Sequence, residues 1–179
     1  MNAPPPRAAS PTEVGPGDRP IAIGWKEYVA LPELGVPSLK AKVDTGARTS
    51  SLHVAAIRRL AGSEDGAAEL EVTLAPDRRR PERLVRARVR QLARIRVTDS
   101  GGHSELRPVI ETLLVLGPVA KRIRVTLADR SPMLFRMILG RKALEGDFVV
   151  DAAKKYLQPP PTLEAAGRPA PTGPGAAAR

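Results

Sequence analysis

Apolar and polar residues alternate with a period of two through the middle of this chain, and that period belongs to strands rather than helices. Leu70, Val72 and Leu74 share one face of a run over residues 67–74. Val85, Ala87 and Val89 alternate with Arg86, Arg88 and Arg90, then Ile95 and Val97 with Arg94 and Arg96. Further runs rich in Val, Ile and Leu lie at 21–25, 29–34, 39–43, 106–116, 123–127 and 136–139, with another strand at 49–54. About eight short strands with regular turn signals predict an all-β fold, closed or sandwiched. A helix is expected only at 141–145, stopped by Gly146, and 55–60 offers at most one helical turn. The aromatic residues Trp25, Tyr28, Phe135, Phe148 and Tyr156 are assigned to the core.

Both ends break this pattern. Residues 1–20 hold six prolines, and residues 158–179 open on Pro159-Pro160-Pro161 and continue as a Pro/Ala/Gly tail. Neither buries enough apolar surface to offset the entropy of ordering it, so both are expected to be disordered around one domain at 21–157. No apolar run reaches the length of a membrane span, and no signal-peptide core opens the chain. Without cysteine there are no disulfides and no thiolate metal ligands, which fits a cytoplasmic protein.

The formal net charge of +10 is concentrated rather than spread. Between Pro76 and Arg96 nine arginines face two acids, Asp77 and Glu82, a local balance of 9 − 2 = +7. Arg86, Arg88 and Arg90, followed by Arg94 and Arg96, are expected on one outward strand face. Such a row binds carboxylates or phosphates bidentately, so the first three are candidate substrate-binding residues. No aromatic residues interleave with these cations, which leaves single-stranded nucleic acid without its stacking platform and makes nucleic acid an unfavoured partner.

The chemistry lies in Asp44-Thr45-Gly46, directly after the strand at 39–43. A carboxylate, a hydroxyl and a residue without a side chain are what a shared-proton carboxylate pair needs. Two carboxylates in contact cannot both ionise, so one stays an acid while the other acts as a base on water. Gly46 allows the close approach, and Thr45 offers a hydroxyl to lock the turn. Near the other end, Met137-Ile138-Leu139-Gly140-Arg141 reads as a buried strand, a glycine turn and the start of a short helix.

This pair of motifs, in this order, resembles the retropepsins, the half-size aspartic proteases of the retroviral type. The segments 44–53, 107–112, 125–131 and 137–141 together are similar to a bacterial retropepsin-like family long called ATP-dependent zinc proteases and linked to ATP-grasp ligases that append glutamates to proteins. The resemblance covers roughly residues 21–157. It implies a closed β-barrel with a flap hairpin and one short C-terminal helix. It also implies a homodimer that pairs two Asp44 carboxylates around a water, since each chain supplies one Asp-Thr-Gly. Asp44, Thr45 and Gly46 become the catalytic residues, with Ala47, Arg48, Gly101 and Gly102 at the substrate and Gly140 and Arg141 structural. The hairpin over 94–106, turning at Ser100-Gly101-Gly102, takes the place of the flap. A peptide or protein substrate follows, with acidic or glutamate-modified tails indicated by the arginines and by the ligase link. Arg48 stands where retroviral enzymes commonly carry an acid, and a cation there is expected to favour ionised carboxylate.

No cofactor is expected. The two histidines, His53 and His103, lie fifty residues apart with no His-Glu-x-x-His helix or carboxylate cluster near them, and no phosphate-binding glycine loop is present. His53 is expected to be a hydrogen-bonded structural residue. Asp99-Ser100-Gly101 repeats the catalytic string, but it falls at a hairpin tip in a chain too short for two lobes. The alternative function is a catalytically inactive module that docks on RNA or an acidic protein through the arginine row.

Overall fold

The computed structural model describes residues 19–60, 68–98, 102 and 104–161. Six strands close into a barrel in the order β10-β4-β11-β3-β2-β9, and pairing of β9 with β10 completes the ring. They are β2 (Lys26–Leu31), β3 (Val36–Asp44), β4 (Ser50–His53), β9 (Ser104–Leu116), β10 (Val119–Ala128) and β11 (Met137–Gly140). β8 (Ala93–Thr98) extends the sheet along β9. A separate three-stranded sheet joins β5 (Ala56–Arg59), β6 (Glu69–Leu74) and β7 (Val85–Arg90), while β1 (Ile21–Gly24) pairs in parallel with β12 (Phe148–Asp151). The all-β barrel agrees with the sequence pattern. Strands account for the alternation: Leu39, Ala41 and Val43 of β3 are buried while Lys40 and Lys42 face out. Ile23, Leu31, Leu127, Met137 and Leu139 are fully or almost fully buried at the centre.

The connection that matters for function surrounds β11. β3 ends at Asp44, the chain turns through 45–49, and it returns as β4. β11 lies between these two strands, parallel to β3 and antiparallel to β4. Gly140 is thereby in register with Asp44. The helix α1 (Arg141–Leu144) starts at that point, one residue shorter than expected because Glu145 is its cap.

Several local expectations change. Residues 56–59 form β5 rather than a helical turn, because pairing with β6 satisfies their backbone. Among the aromatics only Phe148 joins the core. Trp25 packs edge-on to Phe135, and Tyr28 stacks on Tyr156, all four half-buried outside the barrel wall. The folded region also runs past residue 157. Glu27, fully buried, accepts hydrogen bonds from the amides of Gly24 (2.6 Å), Leu157 (2.9 Å) and Gln158 (3.3 Å). One carboxylate thus straps the segment after β12 across the outside of β2.

Candidate active site

Asp44 sits at the end of β3, where its side chain is fixed by its own turn. Oδ1 accepts hydrogen bonds from the amides of Gly46 and Ala47, each at 3.1 Å. Oδ2 has no hydrogen-bond partner among the described residues, so one oxygen is anchored and the other is available. A β-carbon on Gly46 would stand 3.3 Å from Oδ1, a crowded approach that glycine avoids. The exposed Thr45 hydroxyl makes no hydrogen bond among the described residues, and the turn is held by other means.

Arg141 supplies much of that support. Its Nη1 donates to the carbonyls of Thr45 (3.0 Å) and Gly46 (3.2 Å), while its amide donates to the Ala47 carbonyl (2.9 Å). Gly140 is required by contact: a β-carbon there would lie 2.6 Å from the Thr49 carbonyl carbon. Its amide donates to Ser50 Oγ at 3.1 Å, and Thr126 Oγ1 donates to the Ser50 carbonyl at 3.1 Å. Three strands therefore meet under the turn.

Arg48 is exposed and its charge acts on Glu145. Arg130, two residues after β10, is a cation whose charge interacts with the Asp44 carboxylate. Burial and then the charge of Arg107 push the Arg130 guanidinium below its ordinary value, and the Asp44 carboxylate works against both. Arg130 is held from behind, for its amide donates to Nδ1 of buried His53 at 2.9 Å and its Nε to the Phe135 carbonyl at 3.4 Å. Because Nδ1 accepts that bond, it carries no proton, and its 3.6 Å approach to Asp129 is not an ion pair. Burial first, then Arg136, lower the His53 pKa, while Asp129 raises it. Neither Arg107 nor Arg130 stood out in the sequence. Both lie inside segments shared with the family, but the arginines of 76–96 are far denser.

The arginine row is split. Arg86, Arg88 and Arg90 belong to β7 in the small sheet, whereas Arg94 and Arg96 belong to β8. The intervening Gln91 and Leu92 leave one sheet for the other, the Leu92 amide bonding to the Val109 carbonyl of β9. All five arginines are exposed. β7 begins with Val85 against Gly35, at the far end of β3 from Asp44, about 30 Å along the strand. Only β8 belongs to the flap hairpin with β9, where Thr98 and Ser104 hydroxyls meet at 2.6 Å. Gly102 is in the left-handed region at φ 85°, as a tight tip demands. Gly101, Asp99, Ser100 and His103 lie outside the described residues.

Among known proteins, the family described as retropepsin-like aspartic endopeptidase RimB matches over residues 22–161. A probable alpha-L-glutamate ligase of Shewanella pealeana is 36% identical over 139 residues, covering 78% of this chain and 30% of that protein. One of Desulfotalea psychrophila is 37% identical over 131 residues, covering 73% and 28%. The chain therefore spans less than a third of the curated relatives it matches. A crystal structure of a Legionella pneumophila protein of unknown function shares the fold at a TM-score of 0.62 and 24% identity, covering 76% of this chain and 96% of that one. With Asp-Thr-Gly, the interposed β11 and Gly-Arg in these positions, the chain belongs to the RimB-like family of retropepsin-like aspartic endopeptidases.

Proposed function

We propose that this protein is an aspartic endopeptidase, active as a homodimer, that cleaves acidic or glutamate-rich protein tails. The observation that carries the reading is Asp44 itself, with Oδ1 fixed by two amides and Oδ2 without a hydrogen-bond partner among the described residues. Such a carboxylate is preorganised to share a proton with a second one across a two-fold axis and to polarise a water between them. That water attacks the scissile carbonyl, one carboxylate taking its proton while the other, protonated, donates to the carbonyl oxygen. No covalent intermediate forms. One Asp-Thr-Gly per chain makes the second copy part of the site.

Arg130, whose charge interacts with that of Asp44, supports an acidic substrate, since an anionic side chain bound there meets a cation. The glutamate ligases that contain a segment like this chain point to the same chemistry. The exposed arginines of β7, on a separate sheet, suit docking of a longer acidic segment, which is the feature a purely binding role would also use.

The test is cleavage of a glutamate-tailed peptide by purified protein and by Asp44→Asn. The substitution removes the shared proton but keeps the shape, so turnover falls to background while stability changes by less than about 1 kcal/mol. Undiminished turnover by the variant overturns the aspartic mechanism.

A further inference from the structure

A second site lies on the outer barrel face, away from Asp44. Strands β2 and β3, residues 76–79 and 134–136, and Tyr156 of the strap enclose a cavity of about 440 Å³. That is within the range of small-molecule sites. Five cations line it: Lys26, Lys40, Arg78, Arg79 and Arg136. The single carboxylate in the lining, Asp77, is already engaged, accepting from the Arg79 amide at 2.9 Å. Lys40 on β3 precedes Asp44 by four residues, about 13 Å along the strand.

Three features mark this as a built site. Arg136 is only 8% exposed, yet among the described residues its buried Nε and Nη1 have no hydrogen-bond partner. A buried cation without a paired carboxylate is stabilised by an anion held in the cavity that it lines. Lys26 and Lys40 are held in place by rings, Nζ of Lys26 lying 4.4 Å from the Trp25 centroid and 5.2 Å from that of Tyr156, and Nζ of Lys40 5.5 Å from that of Tyr28. Tyr156 reaches its position at φ 53°, in the left-handed region, with its amide bonded to the Lys26 carbonyl. Strain of this kind persists where surrounding contacts over-determine it.

The same features select the ligand. Tyr28 and Tyr156 stack on each other and also carry the lysine ammoniums, which disfavours a nucleobase as the recognised group. β3 is paired on both sides, and β2, which meets β9 only at Ala30, has its Lys26 carbonyl taken by the Tyr156 amide, so the strap covers the sheet edge that an extended peptide would need. A compact polyanion fits what remains. We propose that this cavity binds the phosphate groups of a small molecule, Arg136 and the ring-mounted lysines acting as the anion-binding set.

Trp25 is the sole tryptophan and touches Lys26, so its fluorescence reports occupancy. Titration of the full chain with tripolyphosphate, against sodium chloride of matched ionic strength, should give a saturable fluorescence change and a rise in melting temperature. Lys40→Gln with Arg78→Gln, both away from Asp44, should weaken binding by about tenfold to a hundredfold. Arg136→Met should abolish it, and since that buried change can also unfold the chain, the Lys40/Arg78 pair keeps the test decisive. An equal response to sodium chloride overturns the site, as does unchanged affinity in the double variant. Tighter binding of triglutamate than of tripolyphosphate would make it an acidic-peptide site, and tight binding of adenosine a stacking site; either overturns the proposal.

Discussion

At the scale of single residues the turn after Asp44 is held from several directions, and each support has its own expected cost. Arg141→Ala removes two hydrogen bonds to the Thr45 and Gly46 carbonyls, and it should cost about 1–3 kcal/mol in urea unfolding along with most of the activity. His53 gives a pH dependence. Its folded pKa lies below the ordinary 6.5, so above 6.5 the neutral ring is favoured in both states and its contribution to stability is complete. As pH falls below 6.5 the unfolded chain binds the proton first, and stability is lost toward the lower folded pKa. Protonation of Nδ1 also breaks the bond that anchors Arg130. His53→Asn places a non-titrating acceptor at a similar position and should flatten melting temperature between pH 5 and pH 7 relative to wild type. An unchanged slope would assign the titration to another group. Asp44 was legible in the sequence because its chemistry is local, a carboxylate just before a glycine; Gly140 was legible as the glycine between a buried strand and a short helix, while the Thr49 backbone that excludes a β-carbon there comes from far away in the chain. Arg130 was not, since its importance comes from a parallel pairing of β10 with β4 that joins residues more than seventy positions apart.

At the scale of elements the alternation of apolar and polar residues located nearly every strand, because a half-buried strand writes its two faces directly into the sequence. It failed in particular places. Residues 56–59 of β5 are all exposed, so no apolar face marks them, and their strand exists only through pairing with β6. β12 is short and half-exposed, and only its parallel partner β1 defines it. The strap after β12 was missed for a related reason. Its anchor is Glu27, a charged residue inside an apolar strand, which pattern reading assigns to the surface. Glu27→Gln puts an amide nitrogen where Oε1 or Oε2 accepted an amide, setting donor against donor. The expected cost is about 1–3 kcal/mol, with faster proteolysis around residues 154–158 as a second readout. A variant as stable and as protease-resistant as wild type would show that the strap is held by the Tyr28–Tyr156 stack alone.

At the scale of the whole molecule the proposed site is a property of two chains, so specific activity should fall on dilution below the dimer dissociation constant, measured alongside light scattering. Activity that stays flat while scattering reports monomer would rule out the paired Asp44. The placement of the arginines adds a dependence on substrate length. The charge of Arg130 interacts with that of Asp44, but Arg86 follows Val85, which packs against Gly35 about 30 Å along β3 from Asp44. An extended chain advances at most about 3.5 Å per residue, so a substrate must run about nine residues from the cleft before it meets Arg86. Replacing Arg86 and Arg88 with Gln should therefore leave KM unchanged for a short acidic peptide and raise it for a long glutamate-rich tail. Several exposed pairs converging on one anionic chain reinforce each other where a single pair contributes little, and added salt should erase the difference. Arg130→Gln, by contrast, should raise KM for acidic peptides of either length and leave a neutral peptide alone. If the β7 pair affects short and long substrates equally, the small sheet approaches the cleft in the dimer; if it affects neither, the row is a solvated face and acidic recognition rests on Arg130.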